Sequence, residues 1–360
     1  MQKILFLYNP HAGKGKIKEV LSDIIEVFVN ADYEITIHST KGRGDAKEIA
    51  KERGEAYDIV VACGGDGTLN EVVNGVMTLD KKPNVGFIPA GTTNDFAMNL
   101  KIPKAQPDAA RAITIGKPYA YDIGSFNGQY FNYVASFGLF AAVSYSTSQT
   151  LKNMLGRIAY LIEGAKSLTY INSYKLKLTC GEHEIDDEFI FGAISNANSI
   201  GGFRNVTGKN VTLDDGLFEV VLVTKPKTIF EFRNIINAFL TMDFNNCSNI
   251  FKFKANEITI HSEKIIDWTL DGEFGGSLKQ VEIINHPHAI NFLVDADIII
   301  EMKSEKEQIN SDKNNDEMVL TSIDEKKFNE MMKNYFLIDG DDDNANDDKM
   351  AVEEDDGPDL

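Results

Sequence analysis

The chain has 360 residues, 43% hydrophobic and 10% aromatic, enough to bury the cores of two packed domains. Its net charge of −19 is uneven: residues 301–360 hold 20 acidic and 7 basic side chains, a net of −13, which leaves −6 for residues 1–300. That balance argues against a nucleic-acid partner, and three scattered cysteines, Cys63, Cys180 and Cys247, fit no metal spacing and point to a reducing, cytoplasmic setting.

The opening run MQKILFLYNP is too short for a signal peptide and reads as a buried first strand. No apolar run has the length that crosses a bilayer, so any membrane would be touched from its surface. Apolar residues then recur at helical spacing from Ile17 to Val29, YEITIHST alternates as a strand, and DAKEIAKERG reads as a helix closed by glycine. DIVVACGG is a buried strand, TLNEVVNGVM a helix, and NVGFIPAG a strand leading into TTNDFAMNL. This alternation predicts an α/β nucleotide-binding domain over residues 1–120, built on a Rossmann-like parallel sheet.

From about residue 121 the pattern becomes β-rich, in YDIGSFNGQYFNYVASFG, YKLKLTC, DEFIFGAISNA, GLFEVVLVT, FKFKANEITIHS and VEIINHP. Helical patterns interrupt it only at 148–169 and 227–242. The prediction is a second domain over 121–300, a mainly antiparallel sandwich or barrel. NFLVDADIIIE reads as a last strand, with residues 291–297 able to return to either domain. Residues 301–360 read as an acidic, largely disordered tail. Six histidines make no metal pattern, and HPH at 286–288 reads as a turn.

The informative turns, NPHAGKGK, GGDGT and GTTND, each follow the carboxyl end of an expected strand and should converge on one crevice. NPHAGKGK lacks the P-loop ending, but Gly13 and Gly15 allow close backbone approach and its lysines sit at a helix start. A plain strand–helix turn with solvated lysines fits it equally. In CGGDGTLNE, three glycines form a tight turn around a carboxylate, Asp66, which would repel phosphate. Either Asp66 bonds local amides, or Mg²⁺ stands between carboxylate and phosphates. Asp95 and Asp122 follow two further strand ends or bends, and the three carboxylates together suit a hydrated Mg²⁺ and a nucleotide triphosphate.

NPHAGKGK, GGDGTLNEVVNG, PAGTTNDFA, DDGLFEV and LDGE, in this order, resemble the diacylglycerol kinase catalytic-domain family, over about residues 1–297. GGDGT by itself is also similar to the turn of NAD kinases and 6-phosphofructokinases. The resemblance implies a lipid kinase that uses ATP and Mg²⁺ to phosphorylate diacylglycerol to phosphatidic acid. It implies an ATP site formed by Asn9, Pro10, His11, Ala12, Gly13, Thr40, Gly64, Gly65, Asp66, Gly67, Thr68, Leu69, Asn70, Glu71 and Thr92. Glu273 of LDGE would be the general base, with Asp66, Asp95 and Asp122 as a Mg²⁺-linked network. Thr212, Asp215 and Leu217 would carry a second, structural Mg²⁺.

The helical pattern from Ser146 to Leu168 is amphipathic: it packs on a core, or borders an acyl cleft at the bilayer surface. The loop SNANSIGGF reads equally as a plain loop or a border of the site. A homodimer is the default assembly. Rival readings are a kinase of another lipid alcohol, such as a sphingoid base or polyprenol, and a lipid or nucleotide sensor without catalysis.

Overall fold

The computed structural model describes residues 1–15, 17–92, 94–139, 168, 171–181, 183–197, 199–200, 203–204, 211–241, 244, 247–311 and 318–320. Most of the expected amphipathic helix at 146–168, part of SNANSIGGF and most of the acidic tail lie outside them.

β1 (Lys3–Tyr8) passes through a short 3-10 turn into α1 (Ile17–Asn30). There follow β2 (Glu34–Ser39), α2 (Asp45–Arg53), β3 (Ile59–Gly64), α3 (Asp66–Val76), β4 (Asn84–Pro89), α4 (Asp95–Asn99) and α5 (Gln106–Ile115). The four strands pair in parallel, in the order β2-β1-β3-β4. Alternation along β1 explains its unbroken apolar run. Ile4 and Phe6 share a core with Ile24 and Phe28 of α1 and Ile113 of α5, while Leu5 and Leu7 share another with Ala50 of α2 and Val72 of α3.

The chain continues as β5 (Lys117–Phe126), β6 (Gln129–Phe131), β7 (Val134–Gly138), β8 (Tyr174–Cys180), β9 (His183–Ser195), β10 (Ser199–Ile200) and β11 (Phe203–Arg204). Then come β12 (Phe218–Thr224), α6 (Ile229–Thr241), β13 (Ile250–Ala255), β14 (Glu257–Leu270), β15 (Glu273–Val294), α7 (Ala296–Ser311) and β16 (Met318–Leu320). Pairing here is antiparallel between β12 and both β9 and β13, and between β14 and β7, β8 and β15. Trp268, Phe137 and Phe126 fill the core between these strands, the indole lying 4.9 and 5.1 Å from the two rings.

The two halves are joined by one long strand. β15 starts on β14, then runs antiparallel to β5, and Phe292 near its end pairs in parallel with Val85 of β4. Hydrogen bonding is therefore continuous from β16 to β2, and the expected boundary at residue 120 falls inside β5.

Three local expectations change. HPH is no closing turn: it is a bulge inside β15, where the register against β5 shifts between His286 and Ile290. In NFLVDADIIIE the strand ends at Val294, and Asp295 accepts the Asp297 N–H at 2.9 Å, capping α7. The tail boundary set at residue 301 cuts through α7, which docks by Ile299 and by a 2.8 Å Lys101–Glu301 ion pair.

Phe96 of α4 sits at the joint. Its ring lies 5.9 Å from Phe87 of β4, 5.3 Å from Tyr121 of β5 and 4.7 Å from Phe292 of β15. Phe96→Ala should lower the free energy of urea unfolding by about 3–5 kcal/mol, the cost of a cavity in a fully buried aromatic cluster. A loss below about 1 kcal/mol would show that the joint repacks.

Candidate active site

The turns at the carboxyl ends of the parallel strands are stitched to one another. Thr40 N–H donates to Tyr8 O at 2.9 Å, Asn9 N–H to Cys63 O at 2.9 Å, and Ala90 N–H to Gly64 O at 2.7 Å. Asn9 Oδ1 accepts the His11 N–H at 2.9 Å and so bends the first turn inward. Gly13 has a φ of +57°, and a Cβ there would stand 2.6 Å from Ala90 O, so only glycine lets these two turns meet.

Between them lies a cleft of about 700 Å³. Of the residues predicted from sequence, Asn9, His11, Ala12, Thr40, Gly65, Gly67, Thr68, Glu71 and Glu273 line it. Pro10, Gly13, Gly64, Asp66, Leu69, Asn70, Thr92, Asp95 and Asp122 are not in its wall. Leu69 is fully buried in the core, and Thr92 is exposed. Gly91 of the GTTND turn lines the cleft too, whereas Gly42, Arg43 and Phe274 were not foreseen, although KGRG, an arginine between glycines just after a strand, carried a usable signal.

The carboxylate inside the glycine turn has a local reason. Asp66 accepts the backbone N–H groups of Asp95 and Phe96, each at 3.2 Å, so it caps the N-terminus of α4. Burial still pushes the Asp66 carboxyl above the ordinary carboxylate value, against the pull of those amides. Asn94, at a φ of +54°, closes the GTTND turn by exchanging bonds of 2.9 and 2.8 Å with Gly91. Asp66 and Asp95 thus meet at α4, but Asp122 does not join them. Its oxygens accept Gly216 N–H at 2.6 Å and His288 N–H at 2.7 Å, fixing the DDGLF turn and the bulge of β15. Among the described residues no group of three His, Cys, Asp or Glu side chains could hold a metal ion.

LDGE is a hairpin turn between β14 and β15, with left-handed φ angles of 48° at Asp271 and 84° at Gly272, as an Asp-Gly turn favours. The buried Asp271 carboxylate accepts backbone N–H groups from Asn132 (2.6 Å), Tyr133 (2.9 Å) and Val134 (3.2 Å) and the Asn70 side chain (2.8 Å). Asn70 therefore joins α3 to this hairpin instead of facing the cleft. Glu273, two residues on, is delivered to the glycine turn. A Cβ at Gly67 would lie 2.7 Å from Glu273 Oε1, and Glu273 Oε2 accepts from Arg43 at 2.7 Å. Both partners of that ion pair are exposed, which limits its stabilisation to about 0–1 kcal/mol.

The halves of the chain match two known families: residues 3–126 the diacylglycerol kinase catalytic domain, and residues 133–294 the YegS C-terminal NAD kinase beta sandwich-like domain. A diacylglycerol kinase of Bacillus subtilis (strain 168) is 34% identical over 294 residues, 81% of this chain and 96% of that protein. One from Staphylococcus aureus (strain MRSA252) is 33% identical over 314 residues, 87% of this chain and 97% of that one. The chain belongs to the diacylglycerol kinase catalytic domain family. A crystal structure of a diacylglycerol kinase from Bacillus anthracis str. Sterne superposes with a TM-score of 0.65 at 27% identity, covering 82% of this chain and 98% of that one.

Away from the cleft of this kinase, the DDGLF turn carries Asp215 and Leu217, and Thr212 lies two residues before it. Asp215 Oδ1 accepts the Leu217 N–H at 3.1 Å, and its Oδ2 lies 3.4 Å from the Lys254 ammonium. Lys254 also pairs with the buried Glu219 at 3.0 Å. Burial pushes the Glu219 carboxyl up to about 8, against the pull of Lys254.

Burial pushes the Asp271 carboxyl to about 6, despite its four donors. A folded-state value above the unfolded one means proton uptake on folding, so stability falls as pH rises from about 4 to about 6. That fall should reach at most about 3 kcal/mol and should be absent in Asp271→Asn, which is also less stable because its NH₂ meets backbone donors. Urea unfolding across pH 4–7 checks this, and equal slopes in the two proteins would refute it.

Proposed function

We propose that this kinase transfers the γ-phosphoryl group of ATP to the hydroxyl of diacylglycerol, giving phosphatidic acid. The observation that carries the reading is the placement of Glu273, with one carboxylate oxygen against Gly67 of the glycine turn, inside the cleft at the strand ends. In the step, Glu273 takes the proton of the lipid hydroxyl as its oxygen bonds to the γ-phosphorus. The bond from that phosphorus to the β–γ bridging oxygen breaks, and ADP leaves. Phosphoryl transfer asks mainly for positioning and charge neutralisation, which suits a carboxylate base on a rigid hairpin. Gly65 and Gly67 in the cleft wall carry no side chain, which would let the phosphates of the nucleotide approach their backbone.

Mg²⁺ fits as an ion that enters with the nucleotide. Asp66 does not line the cleft and its oxygens accept the amides that start α4, so an ion there would draw most of its shell from phosphates and water. Bound there, the ion would offset phosphate charge. A second, structural Mg²⁺ at Asp215 fits less well, because the Lys254 ammonium already faces that carboxylate, and no step depends on one. For the lipid, Phe274, next to the base, is 66% exposed and lines the cleft, an apolar surface for an acceptor presented from a bilayer face. No helix among the described residues is long and apolar enough to cross a membrane.

The test is ATP consumption by the full chain with Mg²⁺ against micellar diacylglycerol, sphingosine, undecaprenol and soluble NAD. Turnover should require diacylglycerol, and Glu273→Gln should lower it by about 10²–10⁴-fold while calorimetric ATP binding persists. Preference for another alcohol would overturn the substrate, and an active Glu273→Gln would overturn the base. Separately, without nucleotide, the melting temperature should be the same in EDTA and in Mg²⁺. Lys254→Gln should lower the melting temperature, since it leaves the buried Glu219 and the part-buried Asp215 without their cation. Stabilisation of the wild type by Mg²⁺ alone would instead favour an ion at the DDGLF turn.

A further inference from the structure

We propose that Arg43 is a positioning residue, holding Glu273 across the cleft through a loop that Glu71 anchors. This rests on Glu273 being the base. The loop between β2 and α2 is fixed on both flanks of the arginine. Glu71 of α3 accepts Gly44 N–H at 2.7 Å and Ala46 N–H at 3.2 Å, one on each oxygen. Asp45 accepts Lys41 N–H at 2.9 Å and faces His38 Nε2 at 2.9 Å. Gly44, at a φ of +87°, makes the reversal that sets Arg43 at the cleft wall. The backbone of Arg43 is thus held firmly, while its side chain is 80% exposed and meets Glu273 Oε2 at 2.7 Å.

The arrangement answers a physical problem. Glu273 projects from a hairpin tip with three side-chain torsions and is itself half exposed. Nucleotide phosphates arriving at the turn around Gly67 would repel this carboxylate. A guanidinium on its far oxygen opposes that repulsion and leaves Oε1, beside Gly67, to take the proton. The pair joins the β2–α2 loop of the parallel sheet to the β14–β15 hairpin, residues 230 apart in sequence, so the base is oriented only when both walls of the cleft are in place.

The test uses the full chain and four variants, Arg43→Ala, Arg43→Lys, Glu273→Gln and the Arg43→Ala/Glu273→Gln double variant. Each is assayed for turnover in diacylglycerol micelles and, by calorimetry, for ATP binding. Arg43→Ala should lower kcat by about 10–100-fold with the ATP Kd within about twofold, and Arg43→Lys should recover part of the loss. In the Glu273→Gln background, removal of Arg43 should cost nothing further. Loss of ATP affinity by the same factor in both backgrounds would make Arg43 a phosphate ligand and overturn the proposal. An unchanged kcat in Arg43→Ala beside an inactive Glu273→Gln would overturn the role of Arg43 alone. Wild-type turnover by Glu273→Gln would overturn the base reading and this one with it.

Discussion

The Asp271 carboxylate receives N–H donors from Asn70 of α3 and from three successive residues, Asn132 to Val134, leading into β7. A carboxylate suits this role, because an ionised one accepts four bonds and donates none. Its burial is costly, and the raised pKa is the measure of that cost. In return, the hairpin tip cannot slide along β7 or rotate away from α3. Two residues later the chain reaches Glu273, so the placement of that carboxylate beside Gly67 is inherited from Asp271.

The same logic accounts for the acidic residues of the glycine turn. Asp66 and Glu71 begin and continue α3, yet neither presents a bare carboxylate to the cleft. Asp66 turns to the amides that start α4, and Glu71 to the amides that start α2. Each helix N-terminus carries unsatisfied N–H groups that an anion stabilises. The acidic residues of GGDGTLNE are thereby consumed in joining three strand-end turns into one wall. Glu273 is the carboxylate left at the rim, and it is matched by Arg43.

Much of this was legible in the sequence. Buried strands followed by glycine turns placed the crevice, because periodicity and turn chemistry are local. What was not legible depended on long-range partners. Grouping Asp66, Asp95 and Asp122 assumed that carboxylates after successive strand ends converge. The DDGLF turn and the β15 bulge, distant in sequence, claim Asp122 instead. Leu69 and Asn70 lay within a motif that reads as one binding unit, yet helical geometry sends them to the core and to Asp271. At the other end, three isoleucines after NFLVDAD looked like a strand continuing, although Asp295 in the N-cap position already offered a helix start.

β15 explains why a two-part chain can keep one site. It begins at Glu273 in the cleft, runs 22 residues and ends against β4, whose carboxyl end carries the GTTND turn. A straight strand of that length would span roughly 70 Å, so it must bend to return to the sheet it serves. The bend is the bulge at 286–290, where His288 takes a φ of +53° and its N–H donates to Asp122. Bulges sharpen local twist, and a buried carboxylate fixes the angle of this one. Asp122 therefore fixes the path of the strand that begins at Glu273, and does so from outside the cleft wall.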